Sequence, residues 1–177
     1  SQGVATFTAV NFTKAGTYKV KFVDAAAAPV LQPDTSAEFT ISAANPAKAV
    51  WAADSIITGG VTRTALAGQP KIEILDQYDN LVLTDNSTSV TVAVCGIATC
   101  AGSSDGGTVT GTVTVSAVNG VVSFDNIAVA GTPGAPYQLR FTATGLLNAT
   151  SSAMRVSKVV DLAVDYPTTP WSLGRQV

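Results

Sequence analysis

The sequence contains no histidine, and only 12% of its 177 residues are charged. Histidine is the commonest general base and the commonest metal ligand in proteins, so most metal-dependent and acid–base enzyme classes lose their usual machinery. The charged residues comprise 10 basic and 12 acidic side chains. No basic field is therefore available to attract nucleic acid or anionic lipid. The composition predicts a protein that is not an enzyme, needs no cofactor and has no nucleic-acid partner.

Long uninterrupted apolar runs are also absent. The longest apolar stretch lies around residues 25–31 and is broken by Pro29, whereas a membrane-spanning helix needs about 20 apolar residues. The sequence therefore predicts no membrane span. Polarity comes mainly from hydroxyl groups, because the chain has 23 Thr and 14 Ser.

Apolar and polar residues alternate at a period of two, which is typical of strands with one buried face. The clearest strand segments are residues 18–22, 90–94, 109–115 and 137–141. Turn-forming pairs such as Asp79-Asn80 and Asn119-Gly120 separate them. No helical window of convincing length is present. The pattern predicts an all-β fold, an antiparallel sandwich or barrel.

An internal repeat organises the chain. Residues 2–7 match 119–124, residues 16–22 match 135–141, residues 36–42 match 151–157, and residues 48–54 resemble 158–165. One repeat therefore spans roughly 110 to 119 residues, the size of one sandwich domain. The phase predicts that residues 1–44 are the C-terminal part of one repeat, 45–157 a complete repeat, and 158–177 the start of the next.

Two interpretations of this phase remain open. In the first, the chain is an excerpt from a longer tandem array. In the second, residues 158–177 of one subunit join residues 1–44 of another by β-strand addition. The expected partners are therefore neighbouring repeats or identical subunits.

Residues 71–82, with the sequence KIEILDQYDNLV, resemble the opening of bacterial immunoglobulin-like repeats of the invasin and intimin type. Those repeats have an Asp, two or three residues, and then Gly-Asn and an aliphatic residue. Residues 111–127, 137–139 and 143–146 are similar to the closing half of such repeats. The resemblance implies tandem immunoglobulin-like antiparallel β-sandwich domains without catalytic residues. Asp79 departs from the family, which usually has Gly there, and the pair Cys95 and Cys100 is not a family hallmark.

The two cysteines are separated by four residues and follow a predicted strand. They cannot complete a zinc site, which needs four ligands, and they do not form a C-x-x-C redox motif. A local disulfide between Cys95 and Cys100 is the prediction, with a free thiol pair as the alternative. A disulfide needs an oxidising compartment, in agreement with a cell-surface location.

Four oxygen-bearing side chains crowd one region: Asp76, Asp79, Asn80 and Asp85. They could supply ligands to calcium. However, Asp and Asn commonly cap turns by accepting bonds from their own backbone, and the spacing lacks the regular pattern of a calcium loop. Solvated turns are the favoured interpretation.

Three Asn-x-Ser/Thr sequons, at Asn11, Asn86 and Asn148, are candidate glycosylation sites. Trp51 is expected to pack in a core or between domains, whereas for Trp171 core packing and exposure are equally favoured.

The predicted function is structural: an extracellular repeat domain that acts as a stalk, spacer, or surface or filament assembly unit. The alternative is an adhesin module that binds a cell-surface glycan or protein through loops at one end of the sandwich. Exposed aromatic side chains clustered at one loop end would favour the adhesin.

Overall fold

The computed structural model describes residues 4–24, 32–57, 59–97, 100 and 106–158. Across these residues all regular structure is β-strand, so the prediction of an all-β chain is confirmed. In the same residues no helix is long and apolar enough to cross a membrane. Apart from Lys158, the predicted start of a further repeat at 158–177, with Trp171, lies outside the described residues.

The described strands fall into two groups. The N-terminal strand group contains β1 (Gly16–Tyr18), β2 (Lys21–Phe22), β3 (Asp34–Thr35) and β4 (Phe39–Ile41). The main strand group contains β5 (Lys48–Trp51), β6 (Gly60–Val61), β7 (Lys71–Leu75), β8 (Ser89–Cys95), β9 (Thr108–Thr110), β10 (Thr114–Ser116), β11 (Val121–Ser123), β12 (Ala128–Ala130), β13 (Pro136–Thr142), β14 (Ala149–Thr150) and β15 (Met154–Ser157). In the described part of the chain, each strand pairs only within its own group.

The main strand group forms two principal sheets. One has the order β10-β8-β13-β15-β6, with β14 also paired to β13, and the other has the order β11-β7-β5. A shorter sheet joins β12 to β9. Strands β15 and β6 run parallel, whereas the other pairs in these sheets are antiparallel. In the N-terminal strand group, β1 pairs with β4 and β2 with β3.

The hydrophobic core of the main strand group draws side chains from both principal sheets. Alternate residues of β7, β8 and β13 are buried, which confirms the predicted period of two. The core includes Ile72, Ile74, Val90, Val92, Val122, Leu139, Phe141, Met154 and Val156. Burying each such side chain contributes roughly 1.5 to 3 kcal/mol, so this core is the main source of stability for β5 to β15.

The expected continuous strand at residues 109–115 is wrong in one respect, because it is divided into β9 and β10. Gly111 lies between them with φ +101°, and a Cβ there would stand 2.2 Å from the carbonyl oxygen of Asn126. The side-chain oxygen of Asn126 accepts a 2.7 Å hydrogen bond from the Thr112 amide. The chain therefore turns at Gly111, and β9 pairs with β12 while β10 pairs with β8.

The segment 18–22 is likewise interrupted. Strand β1 ends at Tyr18 and β2 begins at Lys21. Between them the Ser36 hydroxyl accepts a 2.9 Å bond from the Val20 amide, and the Ser36 amide donates to the Val20 carbonyl at 2.8 Å. The Ser36 hydroxyl thus takes the place of a backbone carbonyl in the strand pairing. An alternation of apolar and polar residues does not reveal such a contact.

Candidate functional site

The turn that follows β7 is closed by the carboxylate of Asp76. Oxygen Oδ1 accepts hydrogen bonds from the backbone amides of Tyr78, at 2.8 Å, and Asn80, at 2.9 Å. The amide of Asp76 in turn donates to the carbonyl of Asn80 at 2.9 Å. Leu81 then bridges back to Leu75. An acid at this position therefore fixes a tight reversal of the chain by the usual Asp turn-capping chemistry.

The second carboxylate oxygen of Asp76 reaches outside the turn. Oδ2 accepts a 2.9 Å bond from the side-chain amide of Asn80 and a 2.9 Å bond from the backbone N–H of Ala44. Ala44 lies between β4 and β5, so it connects the two strand groups. Asp76 is fully buried, and all four of these donors stabilise its charged form.

The Asn80 side chain extends the contact to the N-terminal strand group. Its Nδ2 donates to the carbonyl of Thr13 at 2.8 Å, and its Oδ1 accepts from the amide of Ala15 at 2.9 Å. One carboxamide therefore satisfies a backbone acceptor and a backbone donor on either side of Lys14. Because Asn80 is buried, water does not compete freely for these two hydrogen bonds.

Lys14 adds to the contact between the strand groups, and Lys48 pairs with the same turn from within the main strand group. Lys14 Nζ donates to the backbone carbonyls of Tyr78, at 3.0 Å, and Asp79, at 3.2 Å. Lys48, at the start of β5, forms an ion pair with the Asp79 carboxylate. We call residues 13–15 and 44 together with the turn 76–80 the joint. It is a contact made of hydrogen bonds between one strand group and the other.

The charges in the joint are stabilised in their ionised forms. Burial raises the pKa of the Asp76 carboxyl, but hydrogen bonds from the Asn80 side chain and from the amides of Asn80, Ala44 and Tyr78 outweigh it. The pKa therefore lies well below its usual range. The hydrogen bond and charge of Lys48 likewise lower the pKa of Asp79. Asp76 thus serves as an ionised acceptor at neutral pH, not as a proton donor.

Asp79 has a left-handed backbone, with φ +63°. This is the conformation that favours glycine, although Asp and Asn tolerate it better than other residues. The structure shows that Asp79 adopts a glycine-like conformation and adds a carboxylate that pairs with Lys48.

The four candidate calcium ligands make other contacts: Asp76 and Asp85 cap turns, Asn80 bonds to Thr13 and Ala15, and Asp79 pairs with Lys48. Asp85 lies in the next turn, where its Oδ1 accepts from the amides of Ser87 and Thr88, both at 3.0 Å. Burial raises the pKa of Asp85, and the bonds from Thr88 and Ser87 bring it below the usual value. Within the described residues no group of three or more acids or cysteines is placed to hold a metal ion.

The disulfide between Cys95 and Cys100 is present, as predicted. It follows directly on β8. The guanidinium of Arg140 donates a 2.9 Å bond to the carbonyl of Cys100 and so fixes the loop to β13. Cys95 is buried, which identifies this pair as a local structural bridge.

The remaining predicted residues lie apart from the joint. The three sequon asparagines, Asn11, Asn86 and Asn148, are exposed, so their glycosylation stays a prediction. Trp51 packs its ring at 5.5 Å from that of Phe141 and donates from Nε1 to the Ser55 carbonyl at 2.8 Å.

The sequence identified Asp76, Asp79 and Asn80 as turn formers but did not reveal their contact with residues 13–15 and 44. The turn chemistry of Asp76 is readable from the residues 76–80 alone. Its bond to Ala44 joins positions 32 residues apart, and the bonds of Asn80 span more than 60. The burial of the Asn80 carboxamide requires such partners, but that burial is a structural observation that the sequence does not reveal.

No protein-family model and no curated protein sequence matches the chain. Solved structures that it matches include a glycosyl hydrolase family 2 member from Bacteroides cellulosilyticus, with 15% identity and TM-score 0.44, over 79% of this chain and 17% of that one. A β-glycosidase from Bacteroides vulgatus has 14% identity and TM-score 0.45, over 80% of this chain and 18% of that one. A β-glucuronidase from Parabacteroides merdae has 14% identity and TM-score 0.43, over 79% of this chain and 16% of that one. The chain thus spans less than a fifth of each of these structures, and no activity is transferred from them.

Proposed function

We propose that this chain is a non-enzymatic part of an extracellular array of tandem immunoglobulin-like β-sandwich repeats, which acts as a stalk, spacer or surface assembly unit. Residues 1–44 close one repeat, and residues 45–157 form the next. The observation that carries the proposal is the joint. A stalk must hold each repeat in a fixed direction relative to its neighbour, and the joint supplies directional bonds between the two strand groups.

The register of strand pairing supports a repeat. In the sequence alignment Tyr18 corresponds to Tyr137, and Phe39 corresponds to Met154. Tyr18 is paired with Phe39 between β1 and β4, and Tyr137 is paired with Met154 between β13 and β15. Equivalent residues therefore pair with equivalent partners in both strand groups. Two unrelated sheets would share this register only by coincidence.

The surface of the main sheet supports a structural function. On the exposed face of β8 and β10, hydroxyl side chains face each other across the strands, Ser89 with Ser116 at 3.0 Å and Thr91 with Thr114 at 2.9 Å. Such hydroxyl pairs stabilise the sheet and present neither charge nor apolar area to a ligand. The Cys95–Cys100 disulfide supports an oxidising, extracellular setting.

The joint sets the direction of the array through paired constraints. Asp76 fixes the linker at Ala44, while Asn80 fixes the backbone on both sides of Lys14. Because one contact lies on the linker at Ala44 and the other lies ahead of β1, rotation about one of them breaks the other. Lys14 adds two bonds to carbonyls of the same turn.

Small-angle X-ray scattering tests the proposal. The wild-type chain should give one narrow distribution of interatomic distances. The double substitution Lys14→Gln and Asn80→Ala should broaden it and increase the maximum dimension, because the contact between the strand groups is lost. Lys19→Gln is the matched control, since Lys19 forms only an exposed ion pair with Glu38 inside the N-terminal strand group. A wild-type distribution as broad as that of the double variant would contradict the proposal.

A further inference from the structure

The N-terminal strand group carries an exposed apolar face. Its large apolar side chains are mostly open to solvent: Val4 74%, Phe7 65%, Val10 59%, Phe22 41% and Val23 66% exposed. Phe7 and Phe22 line an open cavity of about 500 Å³, and their rings are 5.6 Å apart. Val23 lines the same cavity, together with Ala5 and the polar residues Asp24, Gln32 and Asp34. We call the five exposed residues the open face. Exposed apolar side chains that gather around a cavity mark an interaction site.

The main strand group contains the same aromatic pair in buried form. The repeat aligns Phe7 with Phe124 and Phe22 with Phe141. The rings of Phe124 and Phe141 are also 5.6 Å apart, yet these residues are only 3% and 0% exposed. The two pairs therefore share their spacing and differ in what covers them.

Residues 45–118 supply much of the core that surrounds the buried pair. Trp51 of β5 packs on Phe141, and the same core contains the apolar side chains of β7 and β8, namely Ile72, Ile74, Val90 and Val92. In the described residues, the cavity at Phe7 and Phe22 is lined instead by neighbours from the N-terminal strand group itself.

We propose that the open face is half of a hydrophobic core and that it docks a strand set with the apolar pattern of residues 45–118. In the main strand group, residues 45–118 belong to the same chain as the Phe124 and Phe141 pair that they help to cover. We take the strand set that covers the open face to be joined to it in the same way. The occupant is therefore a polypeptide of defined pattern: alternating aliphatic residues on one strand of each of two facing sheets, as on β7 and β8, and an aromatic residue on a third strand. The inference rests on the proposed repeat array and names the partner that this array requires.

The binding of a glycan fits the open face less well. Sugar sites place polar groups around an aromatic platform to fix the hydroxyls. The polar residues Asp24, Gln32 and Asp34 do line the cavity beside the rings, but the rings of Phe7 and Phe22 are tilted by 39° to each other and do not form one flat stacking platform. A strand set would bury the Phe7 and Phe22 rings together, as in the main strand group, whereas a sugar ring would stack on one of them.

The test joins a second copy of residues 45–118 directly ahead of Gln2, which aligns with Asn119. The fused copy should fold onto the open face. Amide hydrogen exchange in residues 16–22 should then slow by roughly 100-fold or more, since these amides pass from a local to a global opening. Binding of a hydrophobic fluorescent dye should fall correspondingly. A fused copy in which the residues equivalent to Ile72 and Val90 are changed to Asp is the matched control and should give no protection.

A second pair of variants keeps the proposal falsifiable. Phe22→Ser should change the Tm of the original chain little. In the fused protein it should lower the Tm by as much as Phe141→Ser does. Unchanged exchange in the fused protein would overturn the proposal. So would a dimer of the original chain, seen by sedimentation and abolished by Phe7→Ser, because a second copy would then be the occupant. Neither result depends on the joint, so a failure here is distinguishable from a failure of the proposed stalk function.

Discussion

The backbone N–H of Ala44 donates a 2.9 Å hydrogen bond to Oδ2 of Asp76. The same carboxylate accepts the amides of Tyr78 and Asn80 through its other oxygen. One side chain therefore closes a local turn and fixes the linker between the two strand groups. A change at Asp76 should act on both.

Replacing Asp76 by Ala should lower the Tm by roughly 5 °C or more, because several buried donors lose their acceptor together. Thermal unfolding followed by circular dichroism measures this. Asp125→Ala is the matched control, since Asp125 is exposed, and it should change the Tm by less than roughly 2 °C. Equal Tm values for the two variants would show that Asp76 contributes no more to stability than an exposed Asp does.

Stability should fall in acid, and much of the fall should depend on Asp76. Its folded pKa lies below the usual value, so its contribution is complete above the unfolded pKa of roughly 3.9. It is lost as the pH drops from there toward the folded pKa. Denaturant titrations at pH 7 and pH 3 should show a smaller pH effect for Asp76→Asn than for the wild type. An identical pH dependence would exclude Asp76 as the responsible group.

The glycine-like backbone of Asp79 predicts that Gly and Ala replacements will change the Tm by different amounts. Asp79→Gly should leave the Tm within roughly 1 °C, because glycine adopts positive φ without strain, whereas Asp79→Ala should lower it by roughly 3 °C. At Asp125, whose φ is not among the positive ones, Gly should be the worse of the two replacements. Equal Tm values for Asp79→Ala and Asp79→Gly would contradict this prediction.

Loss of the disulfide should destabilise the loop more than the fold. Chain-entropy reasoning for so short a loop gives about 2 kcal/mol. The double change of Cys95 and Cys100 to Ser should therefore lower the free energy of unfolding by about that amount. Hydrogen exchange should accelerate more beside the bridge than in β7, where only the loss of global stability should act. Unfolding of the whole chain on mild reduction would mean that the bridge supports the core itself.

The sequence predicted the features that depend on neighbouring residues. Alternation predicted the strands β8 and β13, and the pair Cys95 and Cys100 predicted the disulfide. The break at Gly111 was missed because the alternation continues across it, and only the close approach of Asn126 makes a turn necessary. The joint was missed because local spacing carries no information about a bond between residues as far apart as Thr13 and Asn80.

The central claim is that the joint fixes the two strand groups relative to each other, and residual dipolar couplings test it most directly. Couplings from β1 and β4 and couplings from β8 and β13 should fit a single alignment tensor in the wild-type chain. In the double variant Lys14→Gln and Asn80→Ala they should require two tensors of different magnitude, while Lys19→Gln should behave like the wild type. Two different tensors already in the wild-type chain would contradict the account.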